Sequence, residues 1–186
     1  AAKRYLENSR WDDAVDFDDS VKAFFVKYSW DTFQSKHLKY LEIPAYDLET
    51  GLAVDQVCHI TDQKVNDHDC DCLGKALIAM KPDNLKQLYL TNNDIGDKGC
   101  AAVAGAAAAV PNLELLYLAR NHIGNDGLAA LAEKASRSSM WQLVLTENEP
   151  IGDAGAIALA QAVSKEPSTA FVNLKWLFLD STSIGD

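Results

Sequence analysis

Leu85 to Gly99 reads LKQLYLTNNDIGDKG, and the phrase returns as LELLYLARNHIGNDG from Leu113 and MWQLVLTENEPIGDAG from Met140. A fourth start, LKWLFLDSTSIGD, opens at Leu174 and runs to Asp186. The starts lie 28, 27 and 34 residues apart, a period that marks a repeat array in which each unit buries its apolar face against the next. Each unit has two halves. Leu88 and Leu90 alternate across one residue after Leu85, which suits a short strand with one buried face. Leu113, Leu116 and Leu118 repeat the pattern, as do Met140, Leu143 and Leu145, and then Leu174, Leu177 and Leu179. A turn with Asn93 or Asn121 follows, whose short amide can bond backbone that has left the ladder.

The second half has helical character. Ile95, Ile123, Ile151 and Ile184 each precede a glycine, and Asp97, Asn125 and Asp153 come next, where a helix N-terminus favours a capping oxygen or a negative charge. Val103, Leu131 and Leu159 hold equivalent positions, with Ala107, Ala135 and Val163 one turn later on the same face. The alanine run 106–109 adds strong helix formers that let helices lie close. Strands are therefore expected near 57–61, 87–91, 115–119, 142–146 and 176–180, all parallel. Helices are expected near 70–81, 98–109, 126–136 and 153–165.

These units resemble leucine-rich repeats, and the long helical half with I-G-[DN]-x-G is similar to the ribonuclease-inhibitor-like subclass. The resemblance covers residues 85–186 and implies an α/β solenoid. That solenoid is a right-handed coil with a parallel sheet on its concave side and helices outside. Departures are local: Glu149-Pro150 lengthens the third turn, Thr182 replaces the fourth Asn, and 166–172 extends the third connection.

Working back from Leu85, residues 55–84 align as a degenerate first repeat. Val65-Asn66-Asp67 falls on Ile95-Gly96-Asp97, Cys70 on Cys100, Leu73 on Val103, and Leu77 on Ala107. Cys58 and Ile60 take the places of Leu88 and Leu90, and Gln63 that of Asn93. The stretch also packs Cys58, His59, His68, Cys70 and Cys72 together, which raises a zinc site. Its C-x-C spacing lacks a second pair, so Cys58, Cys70 and Cys100 are expected as small core residues without metal. Free cysteines without a disulfide spacing favour a reducing, intracellular setting.

Residues 1–54 are expected to form an N-terminal cap with a helix and an edge strand. WDDAVDFDDS carries five aspartates but lacks the Gly and Glu that a calcium loop of the EF-hand type requires. It reads as a solvated loop ending in Ser20 as N-cap, before a helix with Val21, Phe24, Phe25 and Tyr28 on one face. Leu38, Leu41 and Ile43 suggest the edge strand, ended by Pro44.

Charge narrows the function classes. The net charge of −10 is shared as −6 over residues 1–84 and −4 over 85–186, so neither part hides a basic nucleic-acid or anionic-membrane module. No apolar run reaches the roughly 18 residues of a membrane span. No phosphate loop, nucleophile elbow or zinc-protease motif occurs, and His37, His59, His68 and His122 fall at unrelated repeat positions. No catalytic residue, metal or cofactor is expected.

The residues that the repeat leaves unspecified are the informative ones. Flanking the buried leucines are three columns: Gln56, Gln87, Leu115, Gln142, Trp176; then His59, Tyr89, Tyr117, Val144, Phe178; then Thr61, Thr91, Ala119, Thr146, Asp180. The second column is largely aromatic, which on an open strand face suggests a partner surface; cross-strand packing of the rings is the plainer alternative. The candidate docking residues are His59, Gln87, Tyr89, Leu115, Tyr117, Gln142, Val144, Trp176 and Phe178. The resemblance implies a non-catalytic protein-interaction module or scaffold subunit of a larger assembly, binding a protein partner through the concave face. The runner-up is a regulator of a small GTPase, since GTPase-activating proteins of the Ran type share this repeat; Arg120, at a strand end, would be its residue. The fourth unit stops where its helix is due, so its open edge is expected to be covered by further repeats or another subunit, and residues 1–186 alone to be poorly soluble or to self-associate.

Overall fold

The computed structural model describes residues 18–27, 56–81, 85–135, 138–165, 171 and 173–185. Among them the chain runs α1 (Asp19–Lys27), β1 (Gln56–His59), α2 (Asp67–Met80), β2 (Leu85–Tyr89) and α3 (Asp97–Ala109). It continues through β3 (Leu115–Tyr117), α4 (Asn125–Lys134), β4 (Gln142–Val144), α5 (Asp153–Lys165) and β5 (Trp176–Phe178). The strands form one sheet in the order β1-β2-β3-β4-β5, and every pairing is parallel. Parallel neighbours need a crossover between them, and α2, α3, α4 and α5 supply it, each packed on the next. The chain is thus an α/β solenoid of repeated strand–helix units.

The leucine pattern explains the core. Leu88, Leu116 and Leu143, with Leu90, Leu118 and Leu145, are fully buried between sheet and helices. Val65, Ile95, Ile123 and Ile151 close each turn, and Leu73, Val103 and Leu131 meet them from the helices. Cys58, Cys70 and Cys100 are buried and free, in keeping with their expected place in the repeat core, and Cys72 is buried and free with them. The fourth position differs. Leu159 is only half-buried and Val163 is 39% exposed, because no described element packs on that flank of α5.

Strands are shorter than expected at their C-terminal ends, and the reason lies two residues beyond the last leucine. Asp62, Asn92, Arg120, Glu147 and Ser181 occupy equivalent places there, all with φ between 54° and 61°. This left-handed step takes the backbone out of the ladder. The orphaned groups are then collected by a buried amide. Asn93 accepts from the Gln63 and Val65 amides at 3.0 Å and donates to the Ile60, Leu90 and Thr91 carbonyls. Asn121 accepts from Ile95 N and donates to the carbonyls of Leu90, Leu118 and Ala119. Asn148 accepts from Ile123 N and donates to those of Leu118 and Leu145. Each amide therefore ties its unit to the preceding one, in a site where an unpaired polar group is costly. Thr182, in the fourth unit, reaches only its own Leu179 carbonyl.

The helix starts follow the same logic, with a result the sequence did not disclose. Asp97, expected at a capping position of its own helix, is the first residue of α3, yet its Oδ1 accepts from Gly124 N and Gly127 N of the next unit. Asp67 does this for Gly96 and Gly99, Asn125 for Gly152 and Gly155, and Asp153 for Gly185. Both glycines of the motif make room for that oxygen. A Cβ on Gly99 or Gly127 would lie 2.6 Å from it.

The first unit has Asn66 and Asp69 where later units have glycine. Asn66 Oδ1 accepts from Asp69 N, and the Asp69 carboxylate accepts from Asn66 N, a reciprocal box that caps α2 from within. Lys27 of α1 places its ammonium 2.7 Å from Asp69 Oδ2, while Val21 and Phe24 of α1 are buried. α1 packs on α2. The N-cap of α1 needs correction: the helix begins at Asp19, and Asp18 rather than Ser20 accepts from Val21 N. Hydrogen bonds from the Ser20 hydroxyl and the Val21 amide hold the Asp18 carboxyl below its usual range. Tyr28 and the edge strand expected at 38–43 lie outside the described residues.

Candidate functional site

Parallel register fixes which side chains line up on the sheet face turned away from the helices. Gln87, Leu115, Gln142 and Trp176 are direct partners across β2 to β5, and so are Tyr89, Tyr117, Val144 and Phe178. His59 stands opposite Tyr89. One rung of the first column is corrected: Val57, not Gln56, pairs with Gln87, in the same register that sets Cys58 against Leu88 and His59 against Tyr89.

Neighbouring strands lie about 4.8 Å apart, so planar side chains on one column can stack. Tyr89 and Tyr117 do so, with ring centroids at 4.3 Å and an interplanar angle of 13°. His59 meets Tyr89 edge-on at 5.1 Å, and Trp176 lies over Phe178 at 6.4 Å on the same strand. Hydrogen bonds lock the first cluster. Tyr89 Oη donates to Gln87 Oε1 at 3.0 Å, and Gln142 Nε2 donates to Tyr117 Oη at 2.8 Å. Partial burial, and then the neighbouring Tyr117, push the Tyr89 phenol above its usual value.

The stripe is therefore both internally packed and open. Tyr89 and Tyr117 are half-buried with one ring face spent on each other, whereas Trp176 is 57% and Phe178 38% exposed. Val144 separates the two clusters. Leu115 is corrected: it is buried and offers little surface.

At the C-terminal ends of the strands, the third column leads into a polar rim. Thr146 Oγ1 donates to Asp180 Oδ1 at 2.9 Å. The left-handed residues then pair two by two: Asn92 donates to Asp62, and Arg120 binds the Glu147 carboxylate through Nε and Nη2 at 3.0 Å. This rim was missed in the sequence, although its position two residues past each last leucine was readable. His122 is exposed beside it.

Burial pushes the thiols of Cys58, Cys70 and Cys100 far above their usual range, where no nucleophilic thiolate forms. Among the described residues no group of three or more His, Cys, Asp or Glu is placed to hold a metal ion, and no helix is long and apolar enough to cross a membrane.

A family model for the leucine-rich repeat matches residues 83–104, 111–132 and 140–160. Among solved structures, the tropomodulin C-terminal domain of Caenorhabditis elegans superposes with a TM-score of 0.51. The match covers 89% of this chain and 83% of that one at 14% identity, a likeness of fold alone. No curated protein sequence matches.

Proposed function

Because the chain is built from leucine-rich repeats, we propose that it is a non-catalytic interaction module, a scaffold subunit that holds a protein partner on the concave sheet face. We place its units in the ribonuclease-inhibitor-like subclass on the strength of I-G-[DN]-x-G. The observation that carries the docking role is the in-register aromatic column, with Trp176 and Phe178 more than a third exposed. Large rings on a rigid sheet lose little side-chain entropy on contact, and truncating one near an interface centre costs about 2 kcal/mol or more. A reading as a small-GTPase regulator would rest on Arg120, and that guanidinium is engaged by Glu147, so the interaction module is preferred.

The test is a double variant, Tyr117→Ala with Phe178→Ala, in quantitative capture of the partner that co-purifies with the chain. Capture should fall by at least tenfold while circular dichroism and the unfolding midpoint change little. Undiminished capture by a folded double variant would remove the concave face from contention.

A further inference from the structure

The open face has a polarity across its strands. The first two columns carry no Asp, Glu, Lys or Arg. Beyond their C-terminal ends the rim turns acidic: Asp62, Asp94, Glu149 and Asp180 are exposed there, and Glu147 with them. Among the described residues, Lys64 and Arg120 are the lysine and arginine lining that side, and Arg120 is occupied by Glu147. At the opposite ends of the strands, among the described residues, Lys86 lies 4.0 Å from Glu114 and Lys175 is exposed.

We propose that the partner segment received by this face is amphipathic, with an apolar side over the aromatic column and a lysine- or arginine-rich edge over the acidic rim. This rests on the docking role proposed above and adds its chemistry and orientation. Asp180 lies two residues beyond Phe178, about 7 Å along an extended strand, within reach of a Lys or Arg whose neighbours contact the ring. Five strands about 4.8 Å apart span roughly 19 Å, the length of about 13 helical residues, so one short helix laid across the strands reaches both aromatic clusters. Complementary charge at such a rim orients the partner and speeds its arrival, and salt screens it.

The experiment is selection of short random displayed peptides on the immobilised full chain, with affinities of the winners measured at low and high salt. The expected winners combine aromatic or aliphatic residues with Lys and Arg. They should bind the triple variant Asp94→Asn, Glu149→Gln, Asp180→Asn about tenfold more weakly at low salt, with the difference shrinking at about 0.5 M salt. Neutral or acidic winners that lose binding on Tyr117→Ala with Phe178→Ala, and ignore the triple variant, overturn the charge inference while leaving the docking face standing. Winners indifferent to both variants, or no enrichment over bare support, overturn both.

Discussion

Asp97 and Gly127 belong to successive units, and the Asp97 carboxylate oxygen lies 2.9 Å from the Gly127 amide and 2.6 Å from where a Cβ on that residue would stand. Helix capping in this array is thus an interaction between neighbours, and it makes the second glycine of the motif sterically compulsory.

Gly127→Ala should therefore destabilise the chain by about 1–3 kcal/mol, as overpacking does, since Ile123 Cγ2 is also only 2.7 Å from the added carbon. Gly105 sits inside α3 with nothing within 4 Å of its absent Cβ. Gly105→Ala should stabilise by about 0.5–1 kcal/mol through helix propensity alone. Urea unfolding of the two variants gives opposite signs on this account.

The capping oxygen need not be charged, because Asn125 does for Gly152 and Gly155 what Asp97 does for Gly124 and Gly127. Asp97→Asn should be nearly silent, and Asp97→Ala should cost about 1–2 kcal/mol. Equal losses in the two variants would show that charge, not the acceptor, matters.

Asn121→Ala should cost about 1–3 kcal/mol, because it strands Ile95 N in the core, while the Leu90 and Leu118 carbonyls keep the Asn93 and Asn148 amides. Thr182→Ala removes one bond to Leu179 and should cost less than about 1 kcal/mol.

The Tyr89 phenol is raised by burial and by Tyr117. A group whose folded pKa exceeds its unfolded value contributes stability below the unfolded value, near 10, and loses it as pH rises through the folded one. Stability should fall above about pH 10, with a late phase in the ultraviolet absorbance titration of tyrosine. That late phase should vanish in Tyr89→Phe.

The repeat, its parallel sheet and its helices were legible because Leu88, Leu116, Leu143 and Leu177 recur in one phase, and periodicity reports burial directly. The columns of the open face followed from that register, save at β1, where setting Cys58 against Leu88 puts Val57, not Gln56, opposite Gln87. What stayed hidden was contact between units. Nothing in a single repeat says that Asp97 caps its neighbour, nor that Asn66 and Asp69 replace two glycines because the first strand–helix unit caps α2 from within. Burial of Leu115 was likewise a matter of its neighbours on β2 and β4 rather than of its place in the pattern.

The docking face is tested most directly by a photo-crosslinker. With p-benzoylphenylalanine incorporated singly at positions 89, 178 and 130 of the full chain, cells expressing it are irradiated and the adducts are identified. Positions 89 and 178 lie on the open sheet face, and Ala130 on α4 among the helices. One partner protein crosslinked from 89 and 178 but not from 130 is the result predicted. Crosslinks to a partner from 130, with none from 89 or 178, would contradict the account.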